Sequence, residues 1–113
     1  MSIIDKAVFK ELRDNAGADF ITELVQTFAE EAPQMLADLR AARAAADTDR
    51  FRRAAHSLKS NAATFGAVDV VALARTLELD GLAASPALDE AAIDALQAAL
   101  NRALAALQEL ARG

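Results

Sequence analysis

Between Ile93 and Leu110 the residues Ile93, Leu96, Leu100, Ala103, Leu107 and Leu110 follow one another at alternating steps of three and four. That rhythm is the seam of an α-helix packed along its length against another helix, and no strand can bury it on one face. A second segment repeats the pattern. From Asp19 onward Ile21, Leu24, Val25, Phe28, Ala32, Met35, Leu36 and Leu39 form one apolar stripe. Pro33 interrupts that stripe without shifting its phase, so a bend between Glu30 and Pro33 is expected and not a reversal. Two stripes of this length need partners. The remaining helical segments supply them, which makes a coiled-coil dimer of the last helix the weaker explanation of its seam.

Three shorter helices complete the chain. Asp5 is a suitable N-cap for a first helix carrying Val8, Phe9 and Leu12, which Asn15-Ala16-Gly17 stops. The second helix starts at Asp19 and runs through the alanine-rich stretch 41–46 to Asp47-Thr48-Asp49, a polar connection and cap. A third helix is expected over Asp49 to Phe65, ended by Gly66. A fourth carries Val70, Leu73, Ala74 and Leu77 inward, with Arg75 and Glu78 toward its edges. Gly81 weakens it, Ala83-Ala84-Ser85-Pro86 makes the next connection, and the last helix spans Leu88 to Ala111. Four long helices with short connections predict an all-α, antiparallel up-down-up-down four-helix bundle with a short extra N-terminal helix.

Composition removes several classes of function. A chain of 113 residues fits a single domain, 1–113. Its apolar content of 54% is largely alanine, suited to closely spaced helices. Without cysteine there is neither disulfide, thiolate metal site nor cysteine nucleophile. One histidine leaves too few ligands for a haem or metal bundle. A net charge of -5 argues against general nucleic-acid binding. No basic region leads into an apolar run at the N-terminus, and no apolar segment approaches membrane-spanning length. The expectation is a cytoplasmic protein, monomeric, without membrane attachment.

The single histidine, His56, lies in the third helix. The stripe Phe51, Ala54, Ala55, Leu58, Ala62 and Phe65 occupies a sector of roughly 100°, and His56 projects about 150° from its centre. Arg52, His56, Lys59, Ser60 and Ala63 share the outward face. A neutral imidazole is a nucleophile near physiological pH. If a carboxylate accepts the Nδ1 hydrogen, the Nε2 lone pair is left facing solvent. Lys59, one turn along, would set an ammonium beside a phosphoryl group arriving there, and the small Ser60 would let another protein approach. Arg50, Arg52 and Arg53 make this helix basic within an acidic chain, which suits an acidic partner or a transient phosphoryl group.

His56-Ser57-Leu58-Lys59-Ser60, followed by Gly66-Ala67, resembles the signature of histidine-containing phosphotransfer (HPt) domains, the relay modules of bacterial two-component signalling. Asp19-Phe20, Phe28 and Pro33 are similar to that family's second helix and Leu77-Glu78 to its fourth. Many members carry glycine where this chain has Ser60. The resemblance implies that His56 is the phosphate acceptor on Nε2, that Lys59 stabilises the phosphoryl group, and that Glu78 takes the Nδ1 hydrogen and orients the ring. Ser60, with Arg52 and Ala63, would be docking residues. The implied partners are response-regulator receiver domains and a hybrid sensor histidine kinase. Mg²⁺ would reside on the receiver, with no cofactor or metal on this chain. The protein would be a stoichiometric phosphocarrier and not an enzyme. Two alternatives stand beside this: the phosphoryl-accepting domain of a chemotaxis-type kinase, and a non-catalytic helical adaptor.

Overall fold

The computed structural model describes residues 3–82 and 86–112, with the side chains of residues 86 and 87 left aside. Among these residues the secondary structure is five helices and no strand: α1 (Lys6–Ala16), α2 (Ala18–Ala44), α3 (Thr48–Thr64), α4 (Val68–Asp80) and α5 (Pro86–Arg112). The chain is all-helical, as its periodicity requires. α2 packs against α3 and α5, α4 packs against the same two, and α1 lies across α2 and α3. The four longer helices therefore close a ring around one core. A 27-residue helix is about 40 Å long, so α2 and α5 alone account for the 44 Å long dimension of the molecule.

Each stripe turns inward. Ile21, Val25, Phe28, Ala32, Leu36 and Leu39 of α2 meet Phe51, Ala55, Leu58 and Ala62 of α3, Val70, Ala74 and Leu77 of α4, and the α5 seam. Within that seam Ile93, Leu96, Leu100, Ala103 and Leu107 are buried inside a single chain, so it is covered without a second copy. Leu24, Met35, Ala54, Leu73 and Leu110 are only partly buried and form the margins of the stripes. Phe28 and Phe65 stack with ring centroids 5.0 Å apart, fastening the end of α3 to the middle of α2. α2 runs unbroken across Pro33, whose side faces solvent, so the missing donor falls on the outer side of the helix. Arg40 and Arg43 of α2 share Glu90 of α5, and Arg40 also reaches Asp94 and Gln97, joining these helices outside the core.

The connections are tighter than the sequence reading had them. Gly17, at φ 95°, closes α1 and opens α2 with no loop between, so α2 starts at Ala18, one residue before the expected Asp19. Asp19 lies in the first turn, where its charge suits the positive end of the helix. α3 begins at Thr48, capped by Asp47, whose carboxylate accepts from the Arg50 amide. Asp5 caps α1 as expected, accepting from the Ala7 and Val8 amides. Of the expected connection 83–86, residues 83–85 lie outside the described residues, while Pro86 is the first residue of α5, which starts two residues before Leu88.

Two helix ends use the same device. At the end of α3 the Gly66 amide donates to Ala63 and the Ala67 amide to Ala62, the paired bonds of a Schellman cap with Gly66 at φ 74°. At the end of α2 the Ala46 amide donates to Arg43 and the Asp47 amide to Ala42, yet the left-handed position holds an alanine at φ 54°. Gly66 has a second task. Its carbonyl accepts from the Asp5 amide at 2.7 Å, and a Cβ there would lie 2.8 Å from the Asp5 carbonyl oxygen. The N-terminal segment is thus seated on this turn, with Ile4 buried beside it.

Two opposite outcomes follow for denaturant unfolding. Gly66→Ala adds left-handed strain and a backbone collision, and is expected to cost about 2 kcal/mol or more. Ala46→Gly relieves strain at an open turn, and is expected to raise stability by about 0.5–1 kcal/mol.

Candidate functional site

α3 and α4 build the site between them. The chain doubles back at Gly66 and brings Glu78 of α4 beside His56 and Lys59 of α3, and Gly81 beside Arg52. His56 keeps the outward phase its sequence position gave it, with 60% of its side chain exposed. Its Nδ1 lies 3.2 Å from both carboxylate oxygens of Glu78. An ionised carboxylate only accepts hydrogen bonds, so this contact assigns a hydrogen to Nδ1, and in the neutral ring Nε2 keeps its lone pair. One edge of the ring is held while the other is open.

Glu78 is shared. Its Oε2 also accepts from the Lys59 ammonium at 2.8 Å, and both side chains are about three-quarters covered, 26% and 23% exposed. The carboxyl is held below its ordinary range, first by the hydrogen bond from Lys59 and then by His56, against the opposing effect of partial burial. Lys59 is therefore engaged with Glu78, and not with open space beside the imidazole.

His56, Ser60 and Glu78 open into a shallow groove completed by Arg52, Arg53, Ser57, Asn61 and Leu79. Of the three expected docking residues, Arg52 and Ser60 share this groove with His56. Ala63 is exposed but belongs to a separate depression with Gly66, Val68, Ala72 and Arg75. Leu79, Ser57 and Asn61 line the groove in addition to the site residues that the sequence indicates. Leu79 is 64% exposed beside Glu78. A leucine out of phase with the Val70, Ala74 and Leu77 stripe was the available sign. Asn61 donates to the Ser57 carbonyl one turn back, which keeps its amide close to the helix and the groove clear. Among the described residues no three His, Cys, Asp or Glu side chains gather where they could hold a metal ion, and no helix is long and apolar enough to cross a membrane.

The family model of the Hpt domain matches residues 23–110, a span that includes His56, Lys59, Glu78 and the helices that carry them. The chain belongs to the Hpt domain family. Membership brings a phosphotransfer role in two-component signalling and partnership with two-component kinases and response regulators. Comparison with curated proteins and with solved structures gives no match.

The charge sharing at Glu78 has a measurable sign. Its carboxyl is depressed below the ordinary value of 4.5, so the stabilisation it contributes is present above that value and is lost as pH falls through the folded one. The stability advantage of the unaltered protein over Glu78→Gln is expected to close on acidification below about pH 4.5. In Lys59→Met, which removes the largest cause, the Glu78 carboxyl midpoint followed by NMR should rise.

Proposed function

We propose that this chain is a phosphocarrier in which Nε2 of His56 exchanges a phosphoryl group with the aspartate of a response-regulator receiver domain. The observation that supports this most directly is the hydrogen bond from Nδ1 of an exposed imidazole to Glu78, which leaves the free lone pair on the solvent side. The four longer helices are taken to run up-down-up-down as one domain, supported by their ring of contacts and the short turns at 45–47 and 65–67. That arrangement holds the groove rigid while a partner approaches.

In the forward step the Nε2 lone pair attacks phosphorus in line with the aspartyl oxygen. The N–P bond forms as the P–O bond breaks, and the bonding pair returns to the aspartate as carboxylate. The imidazole keeps its Nδ1 hydrogen, so the phosphorylated ring carries a positive charge that the Glu78 carboxylate balances. Lys59 holds Glu78 in position and offers its remaining donors toward the phosphoryl oxygens. The reverse step runs through the same geometry, because nothing is consumed on this chain. The receiver supplies Mg²⁺ and most of the catalytic groups, and a hybrid sensor histidine kinase stands upstream. Ser60 leaves space for the receiver's approach. In this reading the protein works in the cytoplasm and turns over no substrate of its own.

The same hydrogen bond gives weight to a second reading. A glutamate bonded to the imidazole is what the resemblance associates with the phosphoryl-accepting domain of chemotaxis-type kinases, which is fed directly by an ATP-binding domain. Two incubations separate the readings: one with a phosphorylated receiver, the other with an ATP-loaded kinase core. Under the relay reading acid-labile label appears on His56 only in the first, and His56→Gln abolishes it. Label from the kinase core alone favours the second reading, and label on another residue overturns the site assignment.

A further inference from the structure

Leu79 follows Glu78 on α4 and is 64% exposed, outside the buried phase of Val70, Ala74 and Leu77. The core makes no use of it. A single leucine on a surface is ordinary, so its place is what matters here. The carboxylate of its neighbour Glu78 lies 3.2 Å from the imidazole, and Leu79 lines the same groove as His56. Of the described residues around that groove it alone carries a large apolar side chain, the others being polar or charged, Arg52 and Arg53 among them. Transfer to Nε2 requires the donor's aspartate to arrive at that atom, so the contact between the two proteins is centred on it. Even a transient contact of about 600 Å² per partner extends about 14 Å from its centre. Leu79 falls within that reach, because adjacent Cα atoms are about 3.8 Å apart and Glu78 already touches the ring.

We infer that Leu79 is the apolar anchor for the receiver domain on this chain, setting how tightly and which receiver binds while taking no part in the chemistry. The inference rests on the phosphocarrier reading above and deepens it. A receiver that holds Mg²⁺ does so through oxygen ligands, carboxylates foremost, so the surface it brings to His56 is acidic. Arg52 and Arg53 suit that surface, but charge of this kind steers encounter more than it holds a complex together. Holding requires apolar area to leave water, and Leu79 is the groove's source of it. The fitting receiver therefore carries an apolar side chain beside its carboxylates, and one with a charged side chain there is turned away. Val68 shares this face of α4 and is 41% exposed, but it stands about 16 Å before Leu79 along the helix, in the separate depression at Gly66. It serves as the comparison for exposed apolar area alone.

The test uses the full chain and a phosphorylated receiver that labels His56, with the transfer rate followed against receiver concentration. Leu79→Ala should raise the half-saturating concentration about tenfold and change the maximal rate less than about twofold, since one large apolar side chain no longer leaves water. Leu79→Met keeps the apolar bulk and should stay within about twofold of the unaltered chain in both quantities. Val68→Ala should do the same, because it lies beyond the centre of the contact. Titrating the unphosphorylated chain with the same receiver should shift the Leu79 methyl signals saturably in NMR. Equal effects of Leu79→Ala and Val68→Ala would overturn the assignment, as would a lower maximal rate at unchanged half-saturation, which places Leu79 behind Glu78 and the ring. Self-association that Leu79→Ala abolishes would give the anchor to a second copy, and labelling from an ATP-loaded kinase core that alone responds to Leu79→Ala would give it to the kinase; either result overturns the inference. If the receiver labels His56 and Leu79→Ala leaves half-saturation unchanged, the inference fails and the phosphocarrier reading stands. If the unaltered chain takes no label on His56 from any receiver, that reading fails and the inference falls with it.

Discussion

The turn at Gly66 is the constraint on which the site depends. Two amide bonds back to Ala62 and Ala63 end α3 abruptly, and the left-handed glycine sends the chain back along the helix it has just left. The register of α4 against α3 follows from that reversal. Glu78 reaches His56 and Lys59 because the turn is short and fixed, and Gly81 comes under Arg52 for the same reason. The Gly66 carbonyl also takes the Asp5 amide, so the N-terminal helix is seated on the same turn that sets the site. Phe65, next to the glycine, stacks on Phe28 and ties the whole corner to α2. A change at Gly66 is therefore felt at the imidazole although the two are not in contact.

At the site itself one carboxylate serves two cationic or potentially cationic neighbours. A glutamate alone beside a solvent-facing imidazole would orient the ring loosely, since a single exposed ion pair is worth little. Lys59 on the other oxygen limits how far Glu78 can swing, and the pair is mostly covered. The ring is thus steadied by a contact it does not itself make. This explains how an imidazole can be more than half exposed and still present one chosen nitrogen.

Much of this was legible in the residues alone. The three-and-four stripes gave all five helices and most of the core, because a buried helix face leaves a period that loops do not erase. The phase of Phe51, Leu58 and Ala62 placed His56 outward, and the small set around it resembled a known signature closely enough to name Lys59 and Glu78. The rest depends on side-chain partnership across helices, which periodicity does not carry. The sequence placed Lys59 beside His56 without saying that Glu78 would hold it. Ala63 shares a helix face with Ser60, yet α4 and the N-terminal segment divide that face into two depressions. The double role of Gly17 and the alanine in the left-handed position at 46 were illegible because both depend on how neighbouring helices meet.

Each of α2, α3, α4 and α5 places alanine in the interior: Ala32, Ala42, Ala55, Ala62, Ala74, Ala99 and Ala103 are all buried. Small side chains let the backbones come close, and a glutamate is a short arm. The span between α3 and α4 is thereby a ruler cut to the length of Glu78. Large side chains such as Phe51, Leu58 and Leu100 fill the rest of the core, but the alanine positions carry a weakness of their own. Overpacking a tight interior displaces backbone at a cost of about 1–3 kcal/mol, which a helical protein can survive. An enlargement at Ala74 or Ala55 can therefore leave a folded, soluble-looking protein whose carboxylate no longer reaches the ring. Loss of signalling and loss of folding are, in this architecture, separable kinds of damage.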